Sequence, residues 1–267
     1  MMVHPMAPFA SPYERGVMPA PAKAPLCGPA LRPGGRALTG RAVGLGGWQP
    51  GARVLDLGCG RGDGLAVLQE QGIETFGLDV RSDALAAARR TKPGCRVVNG
   101  RGEALPFASA SLDGVLAECS LSVTATPQAV LAEIFRVLKP GGRLVATDVY
   151  ARSPRVAVPQ SLPRCLAGMV GYDMWCATLQ RAGLVLDTVE DHSAVLKELL
   201  GRIIFEHGSL SPLWGEAVAR DTADDPSIDV VRRLRPGFLL LVAVKQDRNQ
   251  GRAVPGAGPS SGDDGGE

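Results

Sequence analysis

Along this chain, short apolar runs alternate with stretches whose apolar positions recur three to four residues apart. The runs predict strands over 53–57, 74–79, 95–98, 112–117, 143–149 and 184–189, with a last strand from Phe238 to Lys245. The helical spacing predicts helices over 64–71, 82–91, 127–138, 172–182 and 192–206, and 99–110 reads as a loop. Thr126-Pro127 is a helix start, with a hydroxyl N-cap followed by proline at N1, and Pro140-Gly141-Gly142 is a stop. Strands and helices that alternate in this way pack as an α/β domain, here a parallel sheet with helices on both faces. No internal repeat is visible.

Composition sets the limits of that domain. Residues 1–30 are rich in Pro, Ala and Met without periodicity, and 248–267 is a tail of Gly, Ser and Asp. Neither segment can bury enough apolar surface to offset its ordering entropy, so both are expected to be loose, leaving 31–247 as the domain. At 267 residues and 45% apolar, the chain can build one large core. The net charge of +2, with no basic block, gives no expectation of a nucleic-acid partner or an anionic membrane partner. Pro5, Pro8 and Pro12 interrupt the region where an export signal needs an apolar core, so the cytoplasm is the expected location. The six cysteines form no CxxC pair, which argues against a zinc ribbon or a thioredoxin-like motif, and they should be reduced. No metal site is expected.

The densest chemistry lies in Val54-Leu55-Asp56-Leu57-Gly58-Cys59-Gly60-Arg61-Gly62-Asp63-Gly64, a buried strand running into a glycine loop. Glycines at 58, 60 and 62 allow left-handed backbone and carry no Cβ, so backbone N–H groups are expected to approach a charged, nucleotide-like ligand. The second strand, Thr75-Phe76-Gly77-Leu78, ends in Asp79, a surface carboxylate at the strand tip, placed to hold a ribose diol. A dinucleotide fingerprint requires G-x-G-x-x-G, but counting from Gly58 brings Asp63 to the last position. The pattern is D-x-G-x-G-x-G instead.

That pattern, with Asp79 beyond it, resembles the class I S-adenosylmethionine-dependent methyltransferases, as do two later stretches. Gly100-Arg101-Gly102-Glu103-Ala104-Leu105-Pro106-Phe107 is similar to the family's G-D-A-E-x-L-P-F loop, and Arg136-Val137-Leu138-Lys139-Pro140-Gly141-Gly142-Arg143-Leu144 to its R-V-L-K-P-G-G-x-L turn. The resemblance runs from about Gln49 to Val149, and the end of the chain resembles the family's closing antiparallel hairpin, which implies a Rossmann-like seven-stranded, mostly parallel sheet with helices on both faces and an antiparallel last strand. It implies methyl transfer from S-adenosyl-L-methionine, with Asp56, Gly58, Cys59, Gly60, Gly62, Asp79, Val80, Arg101, Gly102, Glu103 and Glu118 around the cofactor. Asp56 would orient the loop or receive the cofactor's ammonium end. Arg101 stands where the family carries an adenine-contacting Asp, so Glu103 or neighbouring backbone would take over that bond. Leu31-Arg32-Pro33-Gly34-Gly35 precedes a short helical stretch; relatives often close this segment over the cofactor, where Arg32 would meet a carboxylate.

The acceptor is less legible. Methyl transfer from a sulfonium is an in-line displacement served mainly by positioning, so no catalytic triad is expected. His192 and His207 fall in a helical segment with partly buried or surface roles, and His4 lies in the loose N-terminal segment. The Asp-Pro-Pro-Tyr, Asn-Pro-Pro-Tyr and Pro-Cys motifs of nucleobase methyltransferases are absent. Cys119, after strand four, and Cys165, in Pro163-Arg164-Cys165, resemble in placement two thiols of arsenite methyltransferases, and soft thiolates suit trivalent arsenic. They would equally serve as small buried hydrophobes. The expected partner is therefore a small-molecule or peptide acceptor, with arsenite, a nicotinamide oxidoreductase and a cofactor-binding pseudo-enzyme acting as a partner subunit as alternatives.

Overall fold

The computed structural model describes residues 32–92, 94–153, 168–207 and 233–246. Cys165, Cys27, His4 and both terminal segments lie outside the described residues. In chain order the elements are α1 (Gly35–Gly46), β1 (Arg53–Leu57), α2 (Asp63–Glu70), β2 (Glu74–Asp79), α3 (Ser82–Thr91), β3 (Arg96–Asn99), β4 (Leu112–Glu118), α4 (Pro127–Val137), β5 (Leu138–Ala151), α5 (Tyr172–Arg181), β6 (Leu184–Asp191), α6 (Ser193–His207) and β7 (Pro236–Lys245). The seven strands form one sheet in the order β3-β2-β1-β4-β5-β7-β6. β1 to β5 are parallel, and β7 runs antiparallel between β5 and β6.

Alternate side chains of the central strands feed two cores, as the strand period of two requires. Val54, Leu116 and Val145 face one way and pack with Leu38 and Ala42 of α1, Leu68 of α2 and Leu196 of α6. Leu55, Val115 and Leu144 face the other way, onto Leu131 and Ile134 of α4 and Trp175 and Leu179 of α5. Leu65 of α2 and Leu85 of α3 form a smaller cluster with Cys59. Among the described residues, no helix is long and apolar enough to cross a membrane.

Two local expectations change. β5 begins at Leu138 rather than at 143, because Leu138 already pairs with Leu112; the next pair is Gly114–Arg143, so Lys139–Gly142 bulge out of the ladder with Gly141 at φ +76°. Thr126 precedes α4, but its hydroxyl makes no cap bond; it donates instead to Glu103 Oε1 at 3.3 Å. Pro127 does occupy the first turn.

Candidate active site

β1, β2 and β4 end side by side at the carboxyl edge of the sheet, and most of the expected residues gather there. The loop from β1 to α2 holds Gly58, Gly60 and Gly62 at φ +77°, +52° and +83°, a region side chains rarely adopt. A Cβ on Gly58 would lie 2.7 Å from Ser120 Cβ.

Four of the five amides from Gly58 to Gly62 turn inward, which corrects the expectation that they meet a ligand. Gly58 and Cys59 N–H donate to the Leu78 carbonyl at 2.7 and 3.1 Å, and Gly62 N–H donates to the Cys59 carbonyl at 2.8 Å. Gly60 N–H donates to Asp79 Oδ2 at 2.8 Å. Buried amides need partners, and three of these four find them in β2, which ties the loop after β1 to that strand. Asp79 is correspondingly not a surface group: it is 7% exposed, and its Oδ1 accepts the Arg81 N–H at 2.8 Å, with the Arg81 side chain alongside. Arg81 was not anticipated from sequence; its only signal is its place two residues beyond the acid.

Cys59 also departs from its expected role. Its thiol is buried among Leu65, Leu85 and the backbone of Gly77, where an added Cβ would sit 2.7 Å from Sγ. Burial pushes that thiol up. With its amide bonded to Leu78 and its carbonyl to Gly62, Cys59 offers no group to a ligand.

Asp56 and Glu118, at the ends of adjacent strands, meet beneath the start of α2. A Cβ on Gly64 would lie 2.5 Å from Asp56 Oδ2 and 3.4 Å from Glu118 Oε2. Arg32 Nη1 donates to Glu118 Oε2 at 2.7 Å and Thr39 Oγ1 donates to Oε1 at 2.9 Å, so α1 and the residues before it are latched to β4. Arg32 thus reaches the site, as expected, but pairs with Glu118. Thr39 gave no signal in the sequence. Burial raises the Glu118 carboxyl above its usual range, with Arg32 and Thr39 opposing. Asp56, 3% exposed, is pushed up to about 8 by burial and then by Glu118, and no hydrogen bond from the described residues offsets that burial.

The remaining residues frame the same edge. Val80, directly after Asp79, is 60% exposed and offers an apolar surface. Gly102 packs on α4, where a Cβ would meet Val130 at 3.1 Å. Arg101 and Glu103 pair across 3.5 Å, and Glu103 also accepts from Thr126. Cys119 follows β4 at φ +50°, its N–H donating to the Thr147 carbonyl at 2.7 Å. Such strain in a non-glycine residue is a mark of functional edges. His192 is elsewhere, bonded to Glu190 at 2.9 Å.

A glycine loop and strand-tip acids at the carboxyl edge of a mostly parallel sheet are the arrangement of a Rossmann-like fold, whose ligands bind at that edge. Comparison with known proteins narrows the class. Residues 55–146 match the family model described as a methyltransferase domain. A demethylmenaquinone methyltransferase of Beutenbergia cavernae is 37% identical over 38% of this chain and 42% of its own length. An arsenite methyltransferase of Halobacterium salinarum is 36% identical over 50% of this chain and 37% of its own. The crystal structure of the cyclase SpnF, 25% identical, superposes with a TM-score of 0.60 over 79% of this chain and 81% of that one. The matched segment spans less than half the length of these two curated relatives. Residues 55–146 thus carry a methyltransferase domain, and over that segment and in its fold the chain is similar to the class I S-adenosylmethionine-dependent methyltransferases.

Proposed function

We propose that the chain binds S-adenosyl-L-methionine over the carboxyl ends of β1, β2 and β4 and transfers its methyl group to a small-molecule or peptide acceptor. One observation carries this reading: four of the five amides from Gly58 to Gly62 are already bonded while Asp56, Asp79 and Glu118 crowd the same edge. A pyrophosphate needs free N–H groups and repels carboxylates. A nucleoside bearing sulfonium and ammonium charges suits this edge, where the Asp56 carboxyl takes no hydrogen bond from the described residues and would be compensated by such a cation. The same observation argues against the nicotinamide alternative.

Each residue then has a role. Asp79 retains acceptor capacity on both oxygens after taking one N–H on each, and it receives the ribose hydroxyls. Gly58, Gly60 and Gly62 keep Cβ atoms out of the ligand's path. Val80 offers its apolar face to the adenine, whose polar edge lies toward Arg101, Gly102 and Glu103. Asp56, Glu118 and Arg32 hold the methionine end. Cys59 is left out because its groups are spent in packing. The cofactor supplies an electrophilic methyl group with a good leaving group, so the protein's task is alignment of the acceptor.

The names of the relatives, from demethylmenaquinone to arsenite, support a small acceptor without choosing one. Arsenite is the second reading, favoured by the strained, half-buried Cys119 at the acceptor end of β4. The test is titration with S-adenosylmethionine and with NAD, followed by transfer of labelled methyl to a panel that includes quinols, acyl carboxylates and arsenite. Saturable binding of S-adenosylmethionine alone, with label in one acceptor, is expected. Preference for NAD refutes the cofactor assignment; binding without turnover, in a fold shared with a cyclase, refutes methyl transfer.

A further inference from the structure

α3 follows the electrostatic rules of a helix at its charged positions, with one exception. Asp83 lies in its first turn and Arg89 and Arg90 in its last, and each charge complements the end of the macrodipole it faces. Arg81, at the N-cap, is the exception. Its backbone is extended, at φ −95° and ψ 107°, and its carbonyl accepts the Leu85 N–H at 3.2 Å, as in a capping residue, yet its side chain makes no cap bond. A guanidinium has no acceptor to offer the N–H groups of the first turn, and its charge opposes the positive end of the helix. Serine, asparagine or aspartate would stabilise α3 here, so the chain forgoes stability at this position.

The side chain is used elsewhere. Its Nε lies 3.5 Å from Asp79 Oδ1, the oxygen that also accepts the Arg81 N–H at 2.8 Å. Its Nη2 lies 3.5 Å from the position a Cβ would take on Gly60, whose N–H donates to the other oxygen, Asp79 Oδ2, at 2.8 Å. The guanidinium therefore reaches from the start of α3 across the tip of β2 to the loop after β1. Both groups it meets belong to the carboxyl edge, where sheets of this kind bind their ligands. A residue that breaks a local stability rule at such an edge marks a functional constraint. We propose that Arg81 is a positioning residue of the cofactor site: its guanidinium holds the Asp79 carboxylate and the Gly60 loop in the arrangement that the cofactor binds, and the helix cap is given up for it. This deepens, and rests on, the cofactor reading above. Arg81 acts through Asp79, whichever atoms of the cofactor that acid meets.

The experiment pairs thermal denaturation of the unliganded full chain with equilibrium titration of S-adenosylmethionine, in the wild type, Arg81→Ser and Arg81→Lys. Serine supplies the missing cap and removes an ion pair whose guanidinium is 44% exposed and so of small worth. Arg81→Ser should therefore melt about 2–4 °C above the wild type. Its affinity for S-adenosylmethionine should nevertheless fall, by about fivefold. Arg81→Lys keeps the charge but cannot cap, so it should melt near the wild type and lose less affinity. Opposite signs in the two readouts separate positioning from a structural role, which would move them together. In an Asp79→Asn background, Arg81→Ser should leave affinity unchanged, because the carboxylate it acts through is gone. Wild-type affinity in Arg81→Ser overturns the inference, as does a lower melting temperature in that variant or an undiminished loss of affinity in the Asp79→Asn background. The comparison of stability with affinity stands even if the double variant fails to fold. Failure of the wild type to bind S-adenosylmethionine overturns the cofactor reading itself.

Discussion

Replacing Asp79 by Asn tests whether the strand-tip acid is a ligand group alone or also the clasp of the glycine loop. The carboxylate accepts the Gly60 and Arg81 N–H groups, each at 2.8 Å, on separate oxygens, while 7% exposed. Asparagine keeps one carbonyl and turns an NH2 toward whichever amide it faces, so one buried N–H loses its acceptor. Removing a charge-assisted bond and stranding a donor costs about 2–3 kcal/mol. In a domain of this size that lowers the melting temperature by roughly 5–10 °C. If Asp79 holds the ribose as proposed, that contact is lost as well, and affinity for S-adenosylmethionine should fall by about tenfold or more. Thermal denaturation of the unliganded variant, followed by equilibrium titration, separates the two effects. A melting temperature within about 2 °C of wild type would refute the clasp, and unchanged affinity would remove Asp79 from the site.

Gly60→Val should stay soluble but lose cofactor binding, because a β-branched residue cannot hold φ +52° without strain, and its side chain would grow toward Arg81 Nη2, 3.5 Å from the Cβ position; near-native affinity in a titration would contradict this. Gly114→Ala should destabilise by about 1–3 kcal/mol or more, since its Cβ would fall 2.2 Å from the Trp48 indole; a chemical melt with an unshifted midpoint would show that Trp48 moves aside freely. Asp56 titrates at about 8 in the fold against an ordinary 3.8, so the folded state binds the extra proton and unliganded stability should fall as pH rises from about 4 through 8. Asp56→Asn should flatten that part of the profile, and an unchanged slope in urea melts across the range would show that Asp56 ionises without cost.

Much of the fold was legible because its signals are local. The limits of β1, β2 and α3 follow from apolar runs bounded by Gly and polar breakers, and they agree with the observed ends. The early start of β5 was not legible, since it depends on Leu138 meeting Leu112 across the sheet before the Lys139–Gly142 bulge. Thr126 looked like a cap, yet Glu103, 23 residues earlier, takes its hydroxyl. The site shows the same division. Glycine spacing and strand-tip acids marked its location, whereas the partners did not show: Arg32 and Glu118 are 86 residues apart, and Thr39 and Glu118 are 79 apart. The loop amides were misjudged for the same reason. Nothing in G-x-G-x-G states that the next strand's carbonyl and carboxylate will consume them.

Two buried acids show how a carboxylate satisfied by the chain differs from one that the described residues leave without hydrogen bonds. Asp148, in β5, is as buried as Asp56, but its oxygens accept N–H bonds from Ser122 and Val149 at 2.8 Å each. Burial raises it to about 6, and those bonds oppose the shift. It is therefore ionised at neutral pH and fixes the turn after β4, where the Ser122 carbonyl is pressed so closely by Gly168 that a Cβ there would lie 1.7 Å from it. Asp56 suffers the same desolvation without such bonds and rises to about 8. Folding has satisfied one acid from within the chain and left the other's charge unsatisfied. A carboxyl that costs stability when ionised, beside a Cβ-free loop at the carboxyl edge of the sheet, is the physical ground for the proposal that a bound cation compensates it.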